Sequence, residues 1–487
     1  MFRLRNPVCL YLATVRYLAC IHPKEFHKRL LNYEIFIDFT SGDATIVASR
    51  LSTESRNNMN NWLSMLEKRE AEGRSIAVSL IGVGQMGAEI VATIDAMTGM
   101  DVVVCVDLSL ERASEGYSYG KHPVDVVETN DLRAAEKALG EGRRIATTDY
   151  RLATRASRVD AVIDATGITE MAAQVSLDAI DFKKHIIMMS VECDVTIGPI
   201  LRQMAKNAGV VYTLAAGDEP AAIIELYRFA RTVGFTVAAA GKGKNNPLDI
   251  YANPGSVREK AIARKMNPRM LAEFVDGSKT AIEMTAVSNA TGLVPDIRGM
   301  HGAKSDVASL NRVFVPRDDG GVLSGLGKVD YAVGVHPGVF LVVTTDNSLL
   351  REGMAQRDMG PGPYYTLYRP FHLTSIEVPI SVCQAVLFHQ SSGHPGRSLV
   401  SECITVSKRD IKKGELLDGI GETCYRGSIE QAAVARSEKL VPLGAAKGLR
   451  VTKDIPIDTP ISFEMIAIEQ ETALWQLRRL QDMTYND

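Results

Sequence analysis

Two lysines separated by a single glycine, then two amides and a proline, make up Lys242-Gly243-Lys244-Asn245-Asn246-Pro247. Ammonium groups so placed can hold a phosphate or steady a developing oxyanion, and flexible glycines let backbone N–H groups converge. A loop after the apolar strand Phe235–Ala240 is expected here, with Lys242 and Lys244 catalytic and Asn245 on the substrate. Ser190-Val191-Glu192-Cys193-Asp194 and Ala216-Gly217-Asp218-Glu219-Pro220 each follow an apolar run. Glu192, Asp218 and Glu219 are candidate substrate contacts, and Glu192 with Asp218 could hold a divalent cation such as Mg or Mn. The same residues also suit a bland role, since Asp194 can cap a following helix and Asp-Glu-Pro is ordinary helix-start chemistry. Asp276, Lys279 and Glu283 fall at helical spacings of three and four, giving either a surface ion-pair row or the acid–base face of an active site. Arg298 and Arg369 offer guanidinium groups to an anion, while His301 and His372 are read as structural.

A second constellation is Gly82-Val83-Gly84-Gln85-Met86-Gly87, directly after the apolar run Ser75–Ile81 and before a helical stretch. The first glycine permits a tight turn, the second lets backbone approach a pyrophosphate, and the third allows close helix–strand packing. Gly82, Gly84, Gln85, Met86 and Gly87 are therefore candidate contacts of a pyridine dinucleotide. Asp107 ends the next strand, where an acid reads the ribose, and Arg112 stands ready for a 2′-phosphate. The choice between NAD and NADP stays open at this level. Ala165, Thr166 and Gly167 supply small residues where backbone can pass beneath the cofactor, or form an ordinary strand-end turn.

These residues need elements to hold them. Strand-like runs at Val102–Val106, Arg144–Thr147, Ala161–Ile163, His185–Met189 and Val210–Leu214 alternate with helix-like Ala88–Met97, Leu132–Leu139, Thr169–Ile180 and Ile197–Asn207. That alternation predicts an α/β, Rossmann-type doubly wound parallel sheet. Residues 216–378 read as an α+β substrate domain with helices Ala221–Thr232 and Asn267–Asn289. Residues 379–487 contain two segments of similar texture, Val406–Leu417 and Val451–Ser462, and read as a small β-rich module similar to the SAF domain. The expected organisation is 1–58 peripheral, 59–215 dinucleotide-binding, 216–378 catalytic and 379–487 SAF-like.

The chain has 487 residues, 46% hydrophobic and 23% charged, with 55 basic against 58 acidic residues. Such a composition suits a globular multidomain protein and gives no global attraction to nucleic acid or acidic lipid. Seven cysteines without a C-x-x-C pair speak against a disulfide scaffold or zinc ribbon and fit a reducing cytosol. No apolar run reaches the ~18–20 residues of a membrane span. Pro7–Cys20 faintly resembles a signal peptide, but Arg16 interrupts it and no small-x-small cleavage site follows. Met59 is an alternative start, and Asn60–Gly73 reads as an amphipathic helix.

The motifs IGVGQMG…VVVCVDLS, SVECD, AAGDEP, AAGKGKNNPLD, FVDGSKTAIEM, GPYYTLYRPFHL and GELLDGIG together resemble the 1-deoxy-D-xylulose 5-phosphate reductoisomerase-like (DRL) family. Its members are relatives of homoserine dehydrogenase with a C-terminal SAF-like module, and the resemblance covers about residues 60–480. It implies NADPH-dependent conversion of 1-deoxy-D-xylulose 5-phosphate to 2-C-methyl-D-erythritol 4-phosphate in isoprenoid biosynthesis, a divalent cation, and a homo-oligomer such as a dimer. It also implies a substrate loop at Gly241–Asn246 and a catalytic pair at Asp276 and Lys279. Homoserine dehydrogenases carry Asn-Gly-Thr where this chain has Lys-Gly-Lys, which favours an anionic substrate. Two other readings stay open: a plain dehydrogenase of a phosphorylated sugar, sugar acid or homoserine-like alcohol, and a SAF-domain assembly protein.

Overall fold

The computed structural model describes residues 33–38, 45–50 and 61–485; Pro7–Cys20 and Met59 lie outside them. The chain divides into two compact units, Met1–Gly73 and Arg74–Asp487. In the first unit, Tyr33–Asp38 pairs antiparallel with Thr45–Arg50, and Asn61–Ala71 forms a helix.

The second unit begins with seven parallel strands: β1 (Ile76–Ile81), β2 (Met100–Val106), β3 (Val126–Glu128), β4 (Arg144–Thr147), β5 (Ala161–Asp164), β6 (His185–Met188) and β7 (Tyr212–Leu214). Their order in the sheet is 3-4-2-1-5-6-7. Because the winding reverses on either side of β1, a crevice opens above the carboxyl ends of β1 and β5. Register brings Ile81 opposite both Val106 and Asp164, so the turn at Gly82, Asp107 and Ala165 lie side by side. The central strands are buried and largely apolar because helices cover both faces of the sheet. Among these helices are α1 (Gln85–Asp95), α2 (Thr169–Asp181) and α3 (Val191–Ala208).

Helix α3 starts six residues earlier than the expected Ile197, which corrects the reading of Asp194 as a cap. Asp194 lies inside the first turns, fully buried, and accepts a hydrogen bond from the Tyr212 hydroxyl at 2.9 Å. Burial pushes its carboxyl up to about 7.

A five-stranded mixed sheet follows. Its strands are β8 (Thr236–Lys244), β9 (Val294–Pro295), β10 (Lys328–Val333), β11 (Val339–Thr344) and β12 (Tyr364–Arg369), in the order 9-10-8-11-12. The expected loop at Gly241–Lys244 is in fact the end of β8. Its glycines serve close packing, since a Cβ on Gly241 would lie 2.4 Å from the Asp330 carbonyl oxygen.

Helix α4 (Glu219–Thr232) packs on this sheet, and the predicted helix 267–289 is two helices, α5 (Pro268–Val275) and α6 (Ser278–Thr291). Gly277, at φ +88°, breaks the helix, and Asp276 accepts from the Ser278 N–H at 2.8 Å. That break removes Asp276 from the face shared by Lys279 and Glu283.

The C-terminal region pairs β13 (Ser401–Ser407) with β14 (Tyr425–Gln431), and β15 (Arg450–Val451) with β16 (Ile466–Ala467). Its two similar segments meet antiparallel where Ile411 and Ile455 exchange backbone hydrogen bonds at 2.8 Å. Helix α7 (Ala473–Tyr485) returns to α3, where buried Arg478 pairs with Glu402 at 2.6 Å. No helix among the described residues is long and apolar enough to cross a membrane.

Candidate active site

The turn after β1 has the geometry an anion needs. A Cβ on Gly82, at φ +95°, would lie 2.6 Å from the Ala165 carbonyl oxygen, and one on Gly87 would strike the Gly82 oxygen at 2.2 Å. At Gly84 an added Cβ meets nothing within 4 Å, and this residue opens α1 with no side-chain cap. The first N–H groups of α1 thus face open space at the helix's positive end, which fits a dinucleotide pyrophosphate. Asp107 ties the turn together: its carboxylate accepts from the Val83 N–H at 2.9 Å and the Leu108 N–H at 2.7 Å. Arg112 lies 3.7 Å from Asp107 with 56% of its side chain exposed, free to swing toward a ribose phosphate. Gly167 donates to the Ser190 hydroxyl at 3.0 Å, and Thr166 donates to Asp164 at 2.9 Å. Burial raises the Asp164 carboxyl to about 6.

A cleft of about 570 Å³ begins at Gly84–Gly87 and Ala165–Gly167 and continues past Ser190 into the second sheet. There it meets Glu192 from α3, Asp218 and Glu219 from the start of α4, Lys242 and Lys244 from β8, and Lys279 and Glu283 from α6. Alternation along β8 sends both lysines to one face of the sheet. Lys242 donates to Glu219 at 2.5 Å and to Glu283, which is 1% exposed. Lys279 stands 3.6 Å from Glu192 and 3.9 Å from Glu283.

Charge balance sets the protonation of this cluster. Burial opposes the charge on Lys242 and on Lys279, but the surrounding carboxylates outweigh it and raise both pKa values. Burial likewise opposes ionisation of Glu219, yet Lys242 and His372 hold its carboxyl well below the usual range. Asp218 goes the opposite way, pushed far up by burial and by its acidic neighbours. Glu283 rises to about 7 through burial and the charge of Glu219. Lys244 has no carboxylate partner among the described residues, donates to the Phe274 carbonyl at 2.7 Å, and is lowered to about 8 by burial and by Lys242.

Four sequence expectations move. Asp276 does not line the cleft; it is buried against Lys408 of the C-terminal region at 3.0 Å, with both side chains at most 2% exposed. Arg298 pairs with Glu430 at 2.6 Å and Glu438 at 2.7 Å, away from the cleft. Arg369 pairs with Glu377 at 2.5 Å and stacks on Phe371, also outside it. Glu192 turns to Lys279, so the carboxylates that group together are Asp218, Glu219 and Glu283, with oxygens within 4.8 Å of one another. That all-oxygen set suits a hard divalent cation, which would compete with the Lys242 ammonium already between two of its members.

His372, read from the sequence as structural, lines the cleft 3.6 Å from Glu219, and its buried Nδ1 has no partner among the described residues. Other lining residues carry no sequence signal. Glu273 is buried in the wall and raised to about 8 by burial and by Glu192. Arg264 and Arg269 also line the cleft, as does Ile420 from the C-terminal region. Only the Asn267-Pro268 helix start gave a local sign of structure there.

Residues 217–378 match the family model described as oxidoreductase DRL, catalytic domain. The matched segment contains the lysine–carboxylate cluster except Glu192. The chain thus joins a Rossmann-type parallel sheet to a segment that matches an oxidoreductase catalytic domain. No curated protein matches the sequence significantly. Among solved structures, a probable dehydrogenase from Thermotoga maritima is 12% identical, with a TM-score of 0.32 over 65% of this chain and 90% of its own. A DOX-P reductoisomerase in complex with magnesium is 11% identical, with a TM-score of 0.36 over 65% of this chain and 70% of that one. A DOX-P reductoisomerase with NADPH, fosmidomycin and magnesium is 16% identical, with a TM-score of 0.30, 43% of this chain covering 56% of that one.

Proposed function

We propose that this chain is an NADPH-dependent reductoisomerase of a small phosphorylated ketose, converting 1-deoxy-D-xylulose 5-phosphate to 2-C-methyl-D-erythritol 4-phosphate. The observation that carries the reading is the single cleft joining the open glycine turn to the cluster around Lys242 and Lys279. The dinucleotide, when bound, supplies hydride to the carbonyl carbon of the rearranged aldehyde. Lys279, held charged by its acidic neighbours, delivers the proton to the oxygen that hydride transfer makes basic. Glu283, near neutrality and touching both lysines, returns a proton to the donor. Glu219, kept ionised by Lys242, would accept a hydrogen bond from the substrate hydroxyl, whose proton passes to the former ketone oxygen as the carbon skeleton rearranges. A divalent cation would be held by Asp218, Glu219 and Glu283 and would polarise the paired carbonyl and hydroxyl oxygens. The β-rich C-terminal region is read as a SAF-like module, supported by the antiparallel meeting of its two similar segments.

The test is incubation of the full chain with NADPH and 1-deoxy-D-xylulose 5-phosphate, with and without Mg²⁺. Loss of NADPH absorbance with a branched-chain product by NMR supports the reading. A second reading, reduction without rearrangement, is favoured by the Lys242 ammonium, which already brings positive charge to the carboxylates. An unbranched alcohol product would select it.

A further inference from the structure

We propose that Arg264, Arg269 and Lys244 form a clamp for a phosphate monoester within the cleft, one arm of it aimed by the C-terminal region. This rests on the reading above that the cleft accepts a small phosphorylated substrate. Each cation is oriented by one neutral acceptor: Arg264 donates to Asn246 Oδ1 at 2.9 Å, Arg269 to the Ile420 carbonyl at 3.1 Å, and Lys244 to the Phe274 carbonyl at 2.7 Å. Among the described residues none of the three forms an ion pair, whereas Lys242 and Lys279 in the same cleft each touch two carboxylates. A guanidinium has five donors, so most of the donor capacity of both arginines is unspent.

The acid nearest in the chain does not neutralise them. Glu273 sits one turn beyond Arg269, and burial with the charge of Glu192 lifts its carboxyl to about 8, leaving it uncharged at neutral pH. Lys244 is lowered to about 8 mainly by burial, with the charge of Lys242 adding to it, so an arriving anion would restore its full charge. Forked guanidinium donors beside a lysine are the chemistry that recognises a phosphate's oxygens. The amides of Asn245, Asn246 and Asn267, which line the same cleft, add neutral donors. Ile420 gives the C-terminal region a direct part in substrate binding, since its carbonyl fixes the direction of Arg269.

The experiment is calorimetric titration of the NADPH-saturated full chain with inorganic phosphate and with methyl phosphate. Saturable binding is expected, weakened about tenfold or more by Arg264→Gln or Arg269→Gln and lost in the double variant. Arg264 is exposed and Arg269 half-buried, so melting temperatures should hold. Arg269→Lys, which keeps charge without the fork, should recover part of the affinity. Arg202→Gln, in a separate basic concavity with Lys206 and Arg397, should leave it unchanged. Absence of binding by the wild type, an unaffected double variant, or loss in Arg202→Gln instead would each overturn the clamp. The NADPH titration that precedes it tests the dehydrogenase reading separately. A chain that ignores NADPH but still takes up phosphate through these arginines would keep the clamp and lose the reaction.

Discussion

The two lysines of β8 stand two residues apart on one strand face and live in opposite surroundings. Lys242 sits between Glu219 and Glu283, while Lys244 meets only a carbonyl and lies with Arg264 and Arg269 among unpaired cations. The first region couples acids to bases closely enough to spread their pKa values apart, which is what moving protons requires. The second leaves positive charge uncompensated, which is what holding an anion requires. One strand therefore serves both tasks, and the neighbours supplied by α4 and α6 on one side and by α5 on the other decide which lysine does which.

The severest challenge to this division is Lys242→Met. Buried Glu219 and Glu283 would then lose the cation that lies between them, at a cost of about 3–5 kcal/mol in stability. Turnover with NADPH should fall on the order of a thousandfold. Stopped-flow oxidation and thermal melting read the two effects, and Lys242→Arg keeps the charge if the first variant fails to fold. Unchanged turnover in a folded variant would remove the acid cluster from the chemistry.

Next in size is the turn that both regions share. Gly84→Ala has room for its methyl group and an ordinary backbone angle, φ −76°. It should melt like the parent yet lose roughly ten- to a hundredfold in NADPH affinity, because the methyl occupies the pyrophosphate's approach. Fluorescence titration would measure this. Gly87→Ala should lose stability instead, since its Cβ collides with backbone.

Glu273 sharpens the boundary between the regions through pH. Its folded carboxyl titrates near 8, above the ordinary glutamate range, so the folded chain holds a proton that the unfolded chain releases. Stability from this group therefore falls as pH rises from about 4 through about 8. Glu273→Gln should flatten that decline, and melting curves of both chains from about pH 6 to about pH 9 would show whether it does. The smallest effect expected is that of Arg298→Gln. It breaks partly exposed pairs with Glu430 and Glu438, costs under about 1 kcal/mol, and leaves NADPH oxidation unaltered because the side chain is outside the cleft.

How much of this the sequence disclosed follows from how local each signal is. The glycine turn is a six-residue pattern between a strand and a helix, and its placement agrees with the reading, as do the strands around it. Lys242, Lys244, Lys279, Glu283, Glu192, Asp218, Glu219 and Asn245 all reach the cleft: all but Glu283 lie at a strand or helix end where open α/β sheets gather ligands, and Glu283 follows Lys279 one turn along α6. Asp276 was misplaced because helical spacing was carried across an Asp-Gly-Ser break. Arg298 and Arg369 attract attention by charge alone: Glu430 lies 132 residues from Arg298, and Glu377 reaches Arg369 across an eight-residue turn that neither helical nor strand spacing describes. Arg264, Arg269 and Glu273 carry no motif, and their meaning comes only from what α5 and the C-terminal region place beside them.

The Lys408–Asp276 pair bears on how the enzyme comes into being. The break that directs Lys279 and Glu283 into the cleft is anchored from a segment more than a hundred residues downstream. Domains generally fold in the order of their synthesis, so the dinucleotide fold can settle while the chain is still emerging from the ribosome. The reactive half would have to wait for its counter-charge. A nascent polypeptide stalled short of residue 408 would bury Asp276 without its partner, so competence would arrive only once the segment carrying Lys408 has been made.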